Sequence, residues 1–311
     1  MKLYRHTSDL PSDQRGVAVA LGNFDGVHQG HRVVIGAALS AARDLGVDAA
    51  VLTFEPHPRL FFKPDQPPFR LTPLRIKARL VEGMGVDALF VQHFDAAFSA
   101  LTAEQFVDQV LVRDLGARHV VAGYDFVFGN RRGGNIAFLK AMGARHGFAV
   151  TEVRPVQDGQ GTVYSSTKVR QALEAGDPAA AAAILGHPFE IEGRVEHGDK
   201  RGRTIGFPTA NVELGEYQRP RFGVYAVRAG VDHGAETVWH KGIANLGRRP
   251  TVGGTVERLE VHLFDMADDL YGKHLRVQLL HFLRPEMKFD SVDQLKTQIA
   301  ADAAAARAVL G

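Results

Sequence analysis

His28 and His31 stand three residues apart, with Gly30 between them, in the run Gly22-Asn23-Phe24-Asp25-Gly26-Val27-His28-Gln29-Gly30-His31. On a helical turn, side chains at that spacing leave one side of the axis. Ring N–H groups held there suit the phosphates of ATP and the negative charge that builds when the α-phosphorus is attacked. The glycines let backbone approach a phosphate, and a following helix N-terminus adds aligned N–H donors. Zinc is a poor fit: the pair supplies two ligands, the chain has no cysteine, and no matched His-Glu pair accompanies it.

A second concentration runs from Gly193 to Asn211, dense in glycine and cations. It lacks the spacings of a P-loop or of a dinucleotide fingerprint. Backbone N–H groups of Gly198 and Gly202, with Lys200 or Arg203, still suit a nest for polyphosphate. Thr209 and Asn211 alternate on one strand face and offer two neutral oxygens, which suits a Mg²⁺ that keeps several waters and phosphate oxygens.

Alternating strands and helices must position the first group. Apolar runs at Gly16 to Leu21, Ala49 to Phe54, Ala88 to Gln92, His119 to Gly123 and Ala149 to Val153 read as buried strands. Helical patterns at Gly30 to Leu45, Pro73 to Met84, Thr102 to Leu115 and Asn135 to His146 separate them. That order predicts a parallel sheet with crossover helices, and it puts Gly22 to His31 where the first strand hands over to a helix. Thr102 and Gln105 predict a capping box. After the short alanine-rich helix around Ala179 to Ala183 the pattern changes. Phe189 to Glu196, Gly223 to Arg228, Thr237 to Ile243, Arg258 to Phe264 and His274 to Phe282 predict a small antiparallel barrel, closed by a helix over Ser291 to Ala306. The domains are therefore read as 1–187 and 188–311.

Composition bounds the function. The 311 residues predict about two domains. Lys plus Arg number 37 against 35 Asp plus Glu, so the near-neutral charge argues against a chain that coats nucleic acid or an anionic membrane. Without cysteine there is no disulfide, cysteine nucleophile or iron–sulfur cluster, and a reducing cytoplasm fits. No apolar run approaches membrane-spanning length, and Met1 to Gln14 is too polar for a secretory leader. The expected partners are small molecules, with neither nucleic acid nor membrane, and homo-oligomerisation is left open.

The first motif resembles the His-x-Gly-His signature of nucleotidylyltransferases, which join a nucleoside monophosphate to a second substrate and release pyrophosphate. These enzymes carry a second phosphate-binding element after the last strand of the domain, and Ser165-Ser166-Thr167-Lys168-Val169-Arg170 stands in that place. The whole pattern is closer to one family. Thr53-Phe54-Glu55-Pro56-His57-Pro58, Gly123-Tyr124-Asp125-Phe126-Val127-Phe128-Gly129, Gly206-Phe207-Pro208-Thr209-Ala210-Asn211, Gly223-Val224-Tyr225, Leu259-Glu260-Val261-His262-Leu263-Phe264-Asp265 and Arg284-Pro285-Glu286-Met287-Lys288-Phe289 occur in the order seen in bifunctional riboflavin kinase/FAD synthetases.

That resemblance implies a nucleotidylyltransferase-type parallel α/β domain followed by a riboflavin-kinase-type antiparallel barrel. It implies phosphorylation of riboflavin to FMN in the C-terminal domain, and adenylylation of FMN to FAD in the N-terminal one, both with ATP and Mg²⁺. Gly22, Asn23, Phe24, Asp25, His28, His31, Ser165, Ser166, Thr167 and Arg170 would bind the adenylylating ATP, and Pro56, His57, Pro58, Tyr124, Asp125 and Phe126 the FMN. Gly198, Lys200, Gly202, Arg203, Thr209 and Asn211 would bind the ATP of the kinase. Glu260 would be the base acting on the ribityl hydroxyl, a task within reach of a strand carboxylate. In one departure, Lys168 stands where the family usually has Arg, which keeps the charge but replaces a planar fork with a point charge.

Overall fold

The computed structural model describes residues 1–159, 161–196, 206–251, 254–266 and 269–311. The chain divides into two compact units: Met1–Pro67 with Thr72–Ser165, and Pro68–Leu71 with Ser166–Gly311.

The first unit is built on six strands: β1 Lys2–Tyr4, β2 Ala18–Leu21, β3 Ala49–Glu55, β4 Ala88–His93, β5 His119–Gly123 and β6 Ala149–Val153. They lie in the order β1-β4-β3-β2-β5-β6, and every pairing is parallel. Ala18 to Leu21 are all at most 2% exposed, as expected of a central strand covered on both faces. Alternation divides the core: Val19 and Leu21 face one cluster with Leu52 and Val120, while Ala20 faces another with Val51 and Val121. The helices are α1 Gln29–Leu45, α2 Pro58–Phe62, α3 Leu74–Glu82, α4 Ala96–Ser99, α5 Ala103–Phe106 and α6 Ile136–His146.

Two local features differ from the sequence reading. Thr102 and Gln105 do form the capping box, at 3.1 and 2.9 Å, but the helix they start turns into a π-helix over Val107–Asp114. The wider turn buries Phe106, Val107, Val110 and Leu111 together, and tertiary packing overrides the 3.6-residue period there. The polar Met1 to Gln14 segment holds β1, whose Tyr4 stacks on Phe90 at 5.0 Å. Backbone pairing to β4 suffices for this edge strand, so its side chains carry little signal.

The second unit contains α7 Ser166–Ala175, α8 Pro178–Leu185 and a closed barrel of β7 Phe189–Glu196, β8 Ala210–Glu213, β9 Gly223–Val231, β10 His240–Thr251, β11 Gly254–Leu263 and β12 His274–Arg284. The barrel order is β10-β11-β8-β7-β12-β9, with antiparallel neighbours. Leu246, Leu259, Val212 and Val195 pair across consecutive strands as one buried row of its interior. The last helix, α9 Val292–Leu310, starts at the Ser291 cap and buries Ala306 against Val224, Ala226, Ile243 and Phe264. α7 is tied into this unit by Gln218 Nε2 donating to Glu174 at 2.9 Å and Arg221 N–H donating to Leu173 O at 2.9 Å. By packing, the division thus falls at Ser165/Ser166. The change in sequence pattern falls near residue 187.

Candidate active sites

Topology sets the first site. From β2 the sheet continues through β3, β4 and β1 on one side and through β5 and β6 on the other, so winding reverses between β2 and β5. Open parallel sheets bind ligands outside the carboxyl ends of their strands at such a reversal. β2 ends at Leu21 and runs into Gly22 to Gly26, while β5 ends at Gly123 and runs into Tyr124-Asp125-Phe126. β3, beside β2, ends at Glu55 and runs into Pro56-His57-Pro58 through a cis Glu55–Pro56 peptide.

His28 caps α1, and its Nδ1 accepts from the His31 N–H at 3.3 Å. With Nδ1 accepting, the neutral ring carries its proton on Nε2. The His28 and His31 rings stack with centroids 3.5 Å apart and planes 19° from parallel, and Phe24 edges against His31 at 5.3 Å. A Cβ on Gly30 would lie 3.1 Å from His28 Cε1 and 3.3 Å from Tyr164 O, so glycine is what leaves the His28 ring its place. Phe24 at φ 48° and Val27 at φ 41° both hold left-handed backbone, and both are buried among Ile35 and Val51. Such conformations cost of order 1–3 kcal/mol each. Core packing holds the loop in this strained shape.

The other expected residues of the first site fall into distinct settings. Asn23 is exposed, whereas Asp25 is 3% exposed, and its Oδ1 accepts from the Thr72 N–H at 3.0 Å. Thr72 Oγ1 in turn accepts from the Gly26 N–H at 2.8 Å, so Asp25 and Thr72 brace the loop from beneath. His57 caps α2 with its Nδ1 accepting from the Arg59 N–H at 3.1 Å, and Pro56 and Pro58 flank it, half-buried. Tyr124 and Asp125 are exposed, and Phe126 stacks on Phe128 at 5.6 Å. Ser165 ends the first unit; Ser166, Thr167, Lys168 and Arg170 belong to the second. There Arg170 Nε donates to Phe69 O at 2.9 Å and the guanidinium lies 5.4 Å above the Phe69 ring.

Register sets the second site. Glu260 pairs with Asn211 on one side and Asn245 on the other, and Asn211 pairs onward with Glu196. These four polar residues form a row on the face opposite the apolar row of Leu246, Leu259, Val212 and Val195. Asn211 is 7% exposed and Glu260 half-buried. Thr209, just before β8, lines a pocket of about 480 Å³ with Pro208, Ala210, Met266, Asp269 and Tyr271. Gly198, Lys200, Gly202 and Arg203 lie outside the described residues.

Two features here go beyond the sequence reading. His262 donates from Nδ1 to Pro208 O at 2.8 Å, and Phe207 meets its ring edge-on at 5.4 Å, so the chain entering Thr209 is held from β11. Its place two residues after Glu260 was the available signal. The Glu286 carboxylate lies against Gly247 of β10, where a Cβ would have to push this exposed side chain aside. Three residues before Glu260, Glu257 receives Arg219 at 2.7 Å and Arg248 at 3.1 Å. Burial alone would raise its pKa, but the hydrogen bonds and charges of Arg219 and Arg248 outweigh this and hold the carboxyl below its ordinary value. Among the described residues, the Glu192, Asp232 and His274 group has metal-like spacing, but Arg276 Nη1 stands 3.9 Å from Asp232 and gives it a cation already.

Comparison with known proteins decides what the two sites belong to. Residues 10–168 match the family model described as FAD synthetase, and residues 185–310 match the one described as riboflavin kinase. The chain is 45% identical over 312 residues to the bifunctional riboflavin kinase/FMN adenylyltransferase of Escherichia coli (strain K12), covering 100% of this chain and 98% of that one. The chain belongs to the bifunctional riboflavin kinase/FMN adenylyltransferase family. The Bacillus subtilis (strain 168) member is 38% identical over 299 residues, covering 94% of this chain and 92% of that one. A crystal structure of a Streptococcus pneumoniae protein described as a macrolide-efflux protein superposes with a TM-score of 0.85 at 34% identity, covering 98% of both chains. Efflux is that protein's description; the present family member shares its fold, and no described helix here is long and apolar enough to cross a membrane.

Proposed function

We propose that the chain makes FMN and FAD in two steps at two separate sites. In the second unit, the riboflavin ribityl hydroxyl attacks the γ-phosphorus of ATP. An oxygen–phosphorus bond forms, the bond to the β-phosphate oxygen breaks, ADP leaves, and Glu260 accepts the hydroxyl proton. In the first unit, a phosphate oxygen of FMN attacks the α-phosphorus of a second ATP and pyrophosphate leaves. No protein nucleophile is needed, since positioning and charge stabilisation suffice.

The observation that carries this reading is that each unit gathers its own set. The barrel ladder sets Glu260 opposite Asn211, two residues after Thr209, and the parallel sheet sets the stacked His28/His31 pair at its winding reversal. His28 and His31 donate to the triphosphate, with Gly22, Asn23 and Phe24 supplying the close backbone. Asp25 acts from below as a brace. Pro56-His57-Pro58 and Tyr124-Asp125-Phe126 form the flavin side, and Ser165, where the first unit ends, opens the second phosphate element. Residues 1–187 carry adenylylation and 188–311 phosphorylation.

Mg²⁺ takes hard oxygen ligands and keeps water. The neutral oxygens of Thr209 and Asn211 fit it, with the Glu260 carboxylate opposite Asn211. When bound, Mg²⁺ would neutralise the charge of the transferring phosphates. The cytoplasm, where ATP is available, is the expected place of work, and small-molecule substrates are the expected partners, with neither nucleic acid nor membrane. Cell fractionation that found the protein with the membranes would contradict this placement.

Incubation with riboflavin, ATP and Mg²⁺, followed by chromatography over time, should show FMN rising first and FAD following. Chelation of Mg²⁺ should stop both steps. A protein that adenylylates FMN but never phosphorylates riboflavin would overturn the assignment of the barrel.

A further inference from the structure

Lys77 is a lysine with no exposed surface, one turn into α3 in the first unit. Its Nζ donates to Thr53 Oγ1 at 3.1 Å and to Glu55 Oε1 at 3.2 Å. Thr53, equally buried, passes the interaction on: its hydroxyl donates to Asn23 O at 3.1 Å. One ammonium therefore connects the carboxyl end of β3 to both loops of the first site. Through Thr53 it reaches the carbonyl of Asn23, inside the nucleotide loop. Through Glu55 it holds the residue immediately before Pro56-His57-Pro58, the flavin turn.

The start of the same helix is fastened to the nucleotide loop at two further points. Thr72, just before Pro73 caps α3, donates its N–H to Asp25 and accepts from the Gly26 N–H. Asn23, Asp25 and Gly26 are thus all referred to one helix, and Glu55 to the same helix through Lys77.

Burying an ammonium is costly even when it is paired, and a buried ion pair is often no more stabilising than apolar residues of the same size. Packing alone would be served as well by Met at position 77. What an ammonium adds is directional: several donors on one atom, used here on two groups of adjacent loops.

We propose that Lys77 is a positioning residue for adenylyl transfer. It sets the nucleotide loop and the flavin turn at the separation that lines up the attacking phosphate oxygen with the α-phosphorus. The proposal rests on the adenylyltransferase reading of the first unit. A positioning error of about 1 Å can cost on the order of 100-fold in rate without a matching loss of binding.

The test is steady-state kinetics of FMN adenylylation by Lys77→Met and Thr53→Val in the full-length chain. Riboflavin phosphorylation by the same samples serves as the folding control. Thr53→Val matters because it cuts the link to Asn23 and leaves the Lys77–Glu55 pair in place. Lys77→Met should lower kcat for FAD formation by about 10–100-fold with KM values within about threefold, and leave FMN formation unchanged. Thr53→Val should lower kcat in the same direction by a smaller factor. The double variant should be little slower than Lys77→Met alone, because both changes break one chain of contacts. An undiminished kcat in both single variants would overturn the proposal. So would multiplicative losses in the double variant, or a loss seen mainly in KM. Wild-type protein that forms no FAD would instead sink the reading of the first unit itself.

Discussion

The two units solve the same problem, holding a triphosphate near a flavin, with opposite uses of a β-sheet. In the α/β unit the sheet supplies only strand ends, and the groups proposed for the chemistry sit on the loops and the start of α1 that follow them. Their geometry depends on strained backbone at Phe24 and Val27 and on braces such as Asp25 to Thr72. In the barrel the ladder itself is the scaffold: Asn245, Glu260, Asn211 and Glu196 are placed by register on consecutive strands. A loop-built site is sensitive to what lies beneath it. A ladder-built site is sensitive to the side chains of the row and to the loop that enters it.

This contrast can be broken most severely at the histidine pair. His28→Ala with His31→Ala should lower FAD formation from supplied FMN by about 100–1,000-fold, the scale of lost transition-state donors, with FMN formation unaffected. Parallel chromatographic assays on one sample check it, and an undiminished FAD yield would remove the pair from the site. Next comes the contrast in what supports each site. Gly30→Ala places a methyl against the His28 ring and should cost adenylylation about tenfold, on the scale of a small displacement of a positioned group. An unchanged rate would show that the His28 ring need not stand where it does.

In the barrel, His262→Ala removes the donor to Pro208 O and loosens the chain entering Thr209. Riboflavin phosphorylation should show a KM for Mg·ATP raised about three- to tenfold, on the scale of one lost hydrogen bond. A change confined to kcat would instead mark His262 as part of the chemistry.

The smallest effect is on acid stability. Glu257 has a folded pKa held below its ordinary value, so its contribution is complete above the unfolded pKa and is lost as pH falls through the folded one. Urea midpoints measured between about pH 6 and 3 should therefore fall less steeply for Glu257→Gln than for the wild type, the difference amounting to under about 1 kcal/mol for so solvent-accessible a cluster. Parallel acid slopes would show that Arg219 and Arg248 do not stabilise the carboxylate.

Much of this was legible in the sequence because the signals were local. The runs at His119 to Gly123, Ala149 to Val153 and Phe189 to Glu196 have the bounds that the apolar pattern predicts. The spacing of His28 and His31 does put their rings together, and Asn211 pairs with Glu260 across the ladder. What was not legible is long-range. Nothing near Asp25 announces that its carboxylate turns under the loop to Thr72, 47 positions away, and nothing near Lys77 announces Thr53. The π-turn after Phe106 and the β1 edge strand were hidden for the same reason: one is imposed by core packing and the other by backbone pairing with β4.

The central claim is that one chain carries two separable sites, and Glu260→Ala tests it most directly. The purified variant, with ATP and Mg²⁺, is given riboflavin in one reaction and FMN in another, and the flavins are separated by chromatography. The expected result is no FMN or FAD from riboflavin, with FAD forming from supplied FMN at the wild-type rate. Loss of both activities together in a folded protein, or FMN still formed from riboflavin, would contradict it.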